Sequence, residues 1–221
     1  MHELLISGNR KRSKTPKGVV HLHFDKTPFV EENNRVVLNR SVVDVEGRWG
    51  RGFSPTANTG LVRTTLEPMT LTQSFTLEFQ ARKGTASSLP SNQYLALLYD
   101  SVAATGIGIQ YYNARFYIYD TTSAQKWVGG DNGLSLDQEW RHHALVYNNG
   151  NYKFFRAGVK IADFAGTCNF PTTRGIDFYM GGHATINISA TGLAFDEALF
   201  TPGVAKYTEN FTPPDQPFYS A

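Results

Sequence analysis

The chain has 221 residues, of which 41% are hydrophobic and 13% aromatic, and its formal net charge is +2. This composition argues against intrinsic disorder, and no apolar run approaches the roughly 18 residues that would span a bilayer. The single cysteine, Cys168, excludes an intrachain disulfide framework and favours synthesis in a reducing cytoplasm.

The first 18 residues are predicted to form a basic arm. Their short apolar patch precedes the basic residues, the reverse of a secretory signal, so we expect no export by that route. Against one acidic residue, Glu3, the arm carries Arg10, Lys11, Arg12, Lys14 and Lys17. Such an arm contacts an acidic protein surface or nucleic acid, or stays solvated. Because no aromatic residues are interleaved with the charges, nucleic acid is the weaker expectation.

From residue 19 onward the sequence predicts one strand after another. Alternating apolar residues mark 19–24, 35–38 and, most clearly, 74–81, where Phe75, Leu77 and Phe79 share one face. We expect the polar face of that strand to be wet, as in many antiparallel sheets. Further strands are predicted at 94–99, 106–112, 114–119, 140–147, 152–156, 159–162, 176–181 and 192–195.

Turn residues separate these strands. Asn113 and the pairs Asn149-Gly150 and Ala157-Gly158 are predicted to close tight hairpins, since Asn and Gly tolerate positive φ. A short helical turn is predicted at Pro202–Lys206, with Thr201 as its N-cap. We therefore predict an all-β fold, a two-sheet antiparallel jelly-roll sandwich over residues 19–200. Residues 1–18 form the arm, and the 19–221 domain ends in an extended tail that lies back along the sandwich.

Three segments carry recognisable motifs. Residues 74–82 are similar to a central "F-T-I-E-F-W" strand, with Gln80 in the usual aromatic place. Residues 140–159 resemble a "W-x-H-V-A" strand with its following hairpin, with Ala157 replacing the usual Asp. The longest match is Phe195-Asp-Glu-Ala-Leu-Phe-Thr-Pro-Gly-Val-Ala-Lys-Tyr-Thr-Glu-Asn-Phe-Thr-Pro-Pro214. Together these segments resemble laminin-G-like, concanavalin A-like jelly-roll domains of bacteriophage virion proteins.

The resemblance implies a component of a phage or prophage virion, such as a decoration, tail or fibre-associated protein, made in the host cytoplasm. It also implies symmetric homo-oligomers, trimers among them. Sugar binders, enzymes and plain structural modules share this broad superfamily, so the fold does not choose among these functions.

The acidic residues argue against an enzyme. Concanavalin A-like glucanases use carboxylates at alternate strand positions, about 5 Å apart in retaining enzymes, and the chain has no such row. Asp196 and Glu197 are adjacent, so we expect them to point to opposite faces. One of them is predicted to cap the backbone N–H groups of the turn that follows.

The histidines and the cysteine are predicted to be structural. His21 and His23 are read as a surface pair rather than half of a metal site. His142 is predicted to be a hydrogen-bonded core residue, and His143 is predicted to face the other way. Cys168 is expected to be a small buried side chain.

The loop at 121–133 is the predicted ligand rim, because it offers Trp127 for stacking and Asp131 and Asn132 for hydroxyl groups. Laminin-G relatives often hold calcium at the rim, which makes Asp100 and Asp131 the candidate ligands here. Ordinary turn chemistry also accounts for the Gly-Asp-Asn-Gly sequence of this loop.

Two functions remain open. The first is a non-enzymatic structural protein on the capsid or tail surface, with no membrane partner. Its contacts with other virion proteins would come from the basic arm and from Phe211 and Phe218 in the Pro-rich tail. The second is a carbohydrate-binding adhesin that recognises host surface glycans through the 121–133 rim.

Overall fold

The computed structural model describes residues 19–25, 30–31, 37–68, 74–84, 92–113, 115–121, 136–168, 170, 175–183 and 188–218. The described part of the chain is built from strands and turns, which confirms the predicted all-β class. None of its segments is a helix long and apolar enough to cross a membrane. The basic arm and most of the predicted rim loop lie outside the described residues.

The described strands follow each other closely along the chain. In chain order they are β1 (Val20–His23), β2 (Val30–Glu31), β3 (Val37–Arg40), β4 (Val42–Glu46), β5 (Arg51–Pro55), β6 (Leu61–Thr65), β7 (Ser74–Lys83), β8 (Asn92–Asp100), β9 (Thr105–Tyr112), β10 (Arg115–Asp120), β11 (Arg141–Asn148), β12 (Asn151–Arg156), β13 (Val159–Ala165), β14 (Asp177–Met180), β15 (Gly182–His183), β16 (Ile188–Ser189) and β17 (Leu193–Pro202).

Two antiparallel sheets form the sandwich, as predicted. Sheet A has the order β13-β12-β11-β7-β17-β1-β2, and β5 joins it beside β17 with β4 at its edge. Sheet B has the order β10-β9-β8-β14-β6-β3. The small hairpin β15–β16 contacts β8 of sheet B.

The core between the sheets is rich in aromatic rings. Phe75 and Phe79 of β7 are fully buried in it, as the alternation predicted. His143 also lies in this core, with its ring 5.2 Å from Phe79 and 5.3 Å from Phe116. Burial, together with the charge of Arg156, lowers the pKa of His143 well below its usual value, so the ring is neutral at pH 7. The predicted opposite orientation of His142 and His143 is confirmed.

The predicted hairpins are present. Asn149 and Gly150 have φ values of +45° and +94° between the paired residues Asn148 and Asn151, the geometry that favours Asn-Gly. Ala157 and Gly158 have the same turn geometry, with φ values of +50° and +78° between the paired residues Arg156 and Val159. Asn113, with a φ of +48°, lies between β9 and β10.

A β-bulge in β17 changes the direction of two acidic side chains. The register shifts between Asp196 and Ala198, and Glu197 at the bulge has a φ of +46°. Asp196 is paired with Gln80, and Glu197 contacts His21, so both carboxylates lie on the outer face of sheet A. The prediction that they point to opposite faces is therefore wrong, because an extra residue breaks the alternation.

Residues 203–218, here called the C-terminal strap, cross the outer face of sheet A in extended form. The Thr76 hydroxyl donates to the Val204 carbonyl at 2.8 Å and accepts the Lys206 N–H at 3.0 Å. Farther along, the Phe211 N–H donates to the Gly158 carbonyl at 2.9 Å. The tail thus lies back along the sandwich, as predicted.

The position of the strap shows that two predictions are wrong. The expected helical turn at 202–206 is absent, because Pro202 ends β17 opposite Phe75 and the following residues bond to Thr76. The expected wet face of β7 is also wrong, since the strap covers it. Thr76, Glu78 and Gln80 are fully buried.

Two glycines provide a test of how firmly the strap is seated. A Cβ on Gly158 would lie 2.0 Å from the Phe211 carbonyl oxygen, whereas a Cβ on Gly203 would meet nothing within 4 Å. Both residues have positive φ, at +78° and +75°. We expect Gly203→Ala to lower the free energy of unfolding by about 1–2 kcal/mol through backbone strain alone. Gly158→Ala should lower it by about 2–5 kcal/mol, because the clash displaces the strap as well.

Urea unfolding followed by tryptophan fluorescence measures both variants. Equal losses at the two positions would show that contact between the strap and this hairpin contributes little to stability.

Candidate functional site

A buried carboxylate lies at the centre of the interface between sheet A and the strap. Glu78 is fully buried, and its Oε2 accepts from the Tyr207 hydroxyl at 2.7 Å and from His142 Nε2 at 3.0 Å. The Lys206 ammonium binds Oε1. Burial alone would raise the pKa of Glu78, but the His142 hydrogen bond and the Lys206 charge outweigh it and lower the pKa. The site therefore holds an ionised carboxylate. His142 is buried and hydrogen-bonded, as predicted, but it lies beneath the strap on the outer face of sheet A, and the core position expected for it is occupied by His143.

A second buried pair of contacting side chains lies beside the first. His21 Nε2 is 2.6 Å from Glu197 Oε2, and both side chains are at most 1% exposed. The prediction of a surface histidine is wrong for His21, because the strap covers this part of β1. The Phe218 ring is centred 6.1 Å from His21 and 5.8 Å from His142, so one strap residue packs on both histidines.

Asp196 caps a turn, but not the one that was predicted. Its Oδ2 accepts the backbone N–H groups of Arg48 at 2.7 Å and Trp49 at 3.0 Å, in the turn between β4 and β5. Burial raises the pKa of Asp196 to about 6, and these hydrogen bonds oppose the rise only in part. The Arg48 guanidinium then links sheet and strap, since it donates to Gln80 Oε1 at 2.8 Å and to the Pro214 carbonyl at 3.3 Å.

A cavity of about 290 Å³ opens between the end of the strap and sheet A. Its sheet side is formed by Glu78 and Leu199, and its strap side by Lys206, Tyr207 and residues 214–218. Carboxylate, ammonium and phenol groups therefore meet apolar and aromatic surface around one small space.

The outer face of sheet B carries an aromatic cluster that is closed to solvent. Tyr94, Tyr99, Tyr179 and His183 pack together there, and each is at most 6% exposed. Burial lowers the pKa of His183 to about 4. Because these rings are covered, this cluster offers little surface for stacking a ligand.

Of the predicted rim residues and metal ligands, only Asp100 lies within the described residues. Trp127, Asp131 and Asn132 lie outside the described residues, so the rim stays a prediction. Asp100 is buried, and its Oδ1 accepts the N–H groups of Val102 and Ala103 at 2.9 and 3.1 Å. Within the described ranges, no three His, Cys, Asp or Glu side chains group as a metal site. The calcium site is therefore still a prediction.

The predicted assembly residues fall into two groups, those outside the described residues and those in the strap. Arg10, Lys11, Arg12, Lys14 and Lys17 lie outside the described residues. Phe211 stacks on Tyr207, with ring centres 3.7 Å apart, and Phe218 is only 5% exposed. Both rings stabilise the chain's own strap, and their contact with another subunit stays a prediction.

Cys168 is buried, as predicted. It is only 2% exposed, and burial raises the pKa of its thiol to about 12. The thiol is therefore protonated at neutral pH and unreactive as a nucleophile.

Several residues of this site were missed at the level of sequence, namely Arg48, Trp49, Lys206 and Tyr207. One signal could have indicated the strap residues. An extended tail with Tyr207, Phe211 and Phe218 has more aromatic surface than a solvated segment would carry, and so should pack on a sheet. No comparable sequence signal marks Arg48 and Trp49. Their backbone N–H groups are held at the site by Asp196, the residue before the bulge.

The sequence matches the family model described as "Concanavalin A-like lectin/glucanases superfamily" over residues 56–199. No curated protein matches the chain. Among solved structures, domain 4 of AbnA, an extracellular GH43 arabinanase from Geobacillus stearothermophilus, in complex with arabinotriose, is similar at 17% identity and a TM-score of 0.65. The match covers 85% of this chain and 93% of that one.

Two other solved structures share the fold. Trypanosoma rangeli sialidase, in complex with 2,3-difluorosialic acid, matches 86% of this chain at 12% identity and a TM-score of 0.63, and this chain spans 31% of the sialidase. The binding domain of Paraclostridial Mosquitocidal Protein 1 matches 88% of this chain and 49% of that chain, at 13% identity and a TM-score of 0.60. At these identities the likeness concerns the fold alone.

The raised pKa of Asp196 predicts a pH dependence of stability. Between about pH 4 and 6 the unfolded carboxyl ionises while the folded one keeps its proton, so stability falls as the pH rises and then levels off. In Asp196→Asn this titration is removed, and one amide oxygen can still accept from the turn. From pH 4 to pH 7 the variant should gain roughly 2 kcal/mol relative to the parent chain.

Chemical denaturation at intervals across this range measures the difference. Asp44→Asn, on neighbouring β4, controls for the loss of one carboxylate charge. A difference between the parent chain and Asp196→Asn that stays constant with pH would contradict the assignment.

Proposed function

We infer that this chain, which belongs to the concanavalin A-like lectin/glucanase superfamily, is a non-enzymatic virion protein of a capsid or tail surface. It acts by protein–protein contact. One observation carries the non-enzymatic part: Glu78, Asp196 and Glu197, on the outer face of sheet A, are at most 1% exposed and engaged in hydrogen bonds or ion pairs.

Glycoside hydrolysis requires a carboxyl group with a raised pKa as acid and a second, accessible carboxylate. Glu78 has a lowered pKa and is held by three donors, so it is a poor proton donor and a poor nucleophile. Asp196 has a raised pKa, but its Oδ2 already accepts two backbone N–H groups. These carboxylates support a folded surface rather than a reaction.

The virion setting is supported by the long match of residues 195–214 to the C-terminal signature of phage jelly-roll domains. In this proposal the strap completes the subunit, and the basic arm at 1–18 anchors it to an acidic surface of another virion protein. Symmetric copies, such as a trimer, would present several arms to one particle, which would increase the avidity of the oligomer for that particle.

The anchoring role can be tested with particles of the phage or prophage whose genome encodes the chain. We expect the full-length chain to co-sediment with particles that lack it. A variant with Arg10, Lys11, Arg12, Lys14 and Lys17 all changed to Gln should bind at least about tenfold more weakly, because the charge attraction is lost.

The matched control changes Arg40 and Arg115 to Gln, two exposed positions on the sandwich. Mass spectrometry of purified wild-type particles must also find the chain. Its absence there would reject the virion role, whereas equal binding of the arm variant would reject only the anchor.

A second candidate function is a carbohydrate-binding adhesin that recognises host surface glycans. It is favoured by the shared fold with the arabinanase domain solved with arabinotriose and with the binding domain of a toxin. The predicted rim, with Trp127, Asp131 and Asn132, would supply stacking and hydrogen bonds, and calcium held by Asp100 and Asp131 would order it. Both functions are compatible in one protein.

A glycan array measures this function. We expect full-length chain to bind a subset of bacterial surface glycans and Trp127→Ala to lose at least about tenfold in signal, since stacking surface is removed. Tyr112→Ala, at a 42% exposed tyrosine on β9, serves as control. Binding that depends on neither the glycan nor Trp127 would contradict the proposal.

A further inference from the structure

We propose that the exposed side of the C-terminal strap, together with Trp49 beside it, is the surface that binds an acidic protein of the particle, so that sheet B faces away from this partner. The inference rests on the virion function proposed above and adds to it the side of the sandwich that meets the partner. The residues beneath the strap take no part, because Glu78 and Leu199 are at most 2% exposed.

The two ends of the described chain lie together on the strap side of the sandwich. Val19, the first described residue of the domain, packs in one buried cluster with Leu199 of β17 and with Phe218, the last described residue. The Phe218 ring also lies 6.1 Å from the ring of His21, two positions after Val19. The basic arm, which joins the domain at Val19, and the residues that follow Phe218 therefore start from the same side.

The length of chain between the arm's charges and the domain restricts where these charges can meet a partner. An extended chain spans at most about 3.5 Å per residue, so the Cα atom of Lys17 lies within about 7 Å of that of Val19, and its side chain adds about 6 Å. Packed sheets lie about 10 Å apart, and a layer of side chains on each outer face makes the sandwich about 20 Å thick. A carboxylate held against the outer face of sheet B is therefore out of reach of Lys17.

The strap contributes little net charge of its own, so the arm supplies the attraction. Lys206 of the strap is bound to Glu78, and Glu209 of the strap is bound to Lys160 of β13. These paired charges neither add much to the attraction of an acidic partner nor oppose it strongly. The five basic residues of the arm are the complement of an acidic protein surface.

Trp49 provides an anchor for such a contact. It is half-buried, the Arg48 guanidinium lies 4.5 Å from its ring centre, and its Nε1 donates to the Asp215 carbonyl at 3.1 Å. Tryptophan and arginine are among the residues that most often carry the binding energy of protein interfaces. Val204 adds an apolar side chain that is 47% exposed.

Polar residues on the exposed side of the strap are suited to the rim of the contact. They are Thr208, Asn210, Thr212 and Gln216, all of them exposed.

The experiment attaches a bulky group to one side of the sandwich at a time. Because Cys168, the single cysteine, is only 2% exposed, a maleimide reagent reacts with an introduced cysteine. Thr212→Cys and Gln216→Cys lie on the strap, and Tyr112→Cys, at a 42% exposed position of β9, is the matched control on sheet B. Each is coupled to a polyethylene glycol chain and co-sedimented with particles that lack the protein. We expect the two strap conjugates to bind at least about tenfold more weakly than the parent chain and the sheet B conjugate to bind equally well.

The reverse order of steps separates blocking of the surface from displacement of the strap. The unmodified cysteine variants are first bound to particles and then exposed to the maleimide. We expect Gln216→Cys to react at least about tenfold more slowly on the particle than in free solution, whereas Tyr112→Cys reacts at the same rate in both.

Equal binding of the strap conjugates and the parent chain, or protection of Tyr112→Cys in place of Gln216→Cys, would overturn the assignment while leaving the virion function intact. Failure of the unmodified parent chain to bind particles would reject the virion function and this surface with it, so the two failures are distinguishable.

Discussion

The outer half of the sandwich depends on one buried charge, the carboxylate of Glu78. An ionised group out of water is stable only when hydrogen bonds and opposite charges replace its hydration. Here one replacement comes from the sheet, through His142, and two come from the strap, through Lys206 and Tyr207. Without the strap, Glu78 would lose two of these three donors. The strap is therefore a part of the fold rather than an appendage to it.

This dependence gives the sandwich a third layer. Strand β7 has an apolar face toward sheet B and a polar face that is equally buried beneath the strap. The bulge at Glu197 adds Asp196 and Glu197 to the same polar face, where they bind the β4–β5 turn and His21. Segments far apart in the sequence, β1, the β4–β5 turn, β7, β11, β17 and the strap, are thus joined by charged hydrogen bonds, which require closer alignment than apolar packing does.

The sequence predicted the strands whose signals are local and missed what depends on distant partners. Alternation in 74–81 and the Asn149-Gly150 turn identify a strand and a hairpin, because both patterns act within a few residues. Alternation cannot tell what covers the second face, so Glu78 was expected to be wet. His21 was misjudged for the same reason, since its partner Glu197 is 176 positions away. Strands β4, β5 and β6 were not predicted, because each has only five residues with polar residues among them, and β5 also contains Gly52 and Pro55.

The layered arrangement also restricts where this protein can meet a partner. The outer face of sheet A is occupied by the strap, and on sheet B the cluster around Tyr94 and His183 is closed. What is left for recognition is loops, hairpin ends and the open edge of the strap, the places where binding residues usually lie on a rigid scaffold. Glu78 is not among these places, because it is fully buried and its oxygens are taken by His142, Lys206 and Tyr207, so its charge serves the fold rather than a ligand.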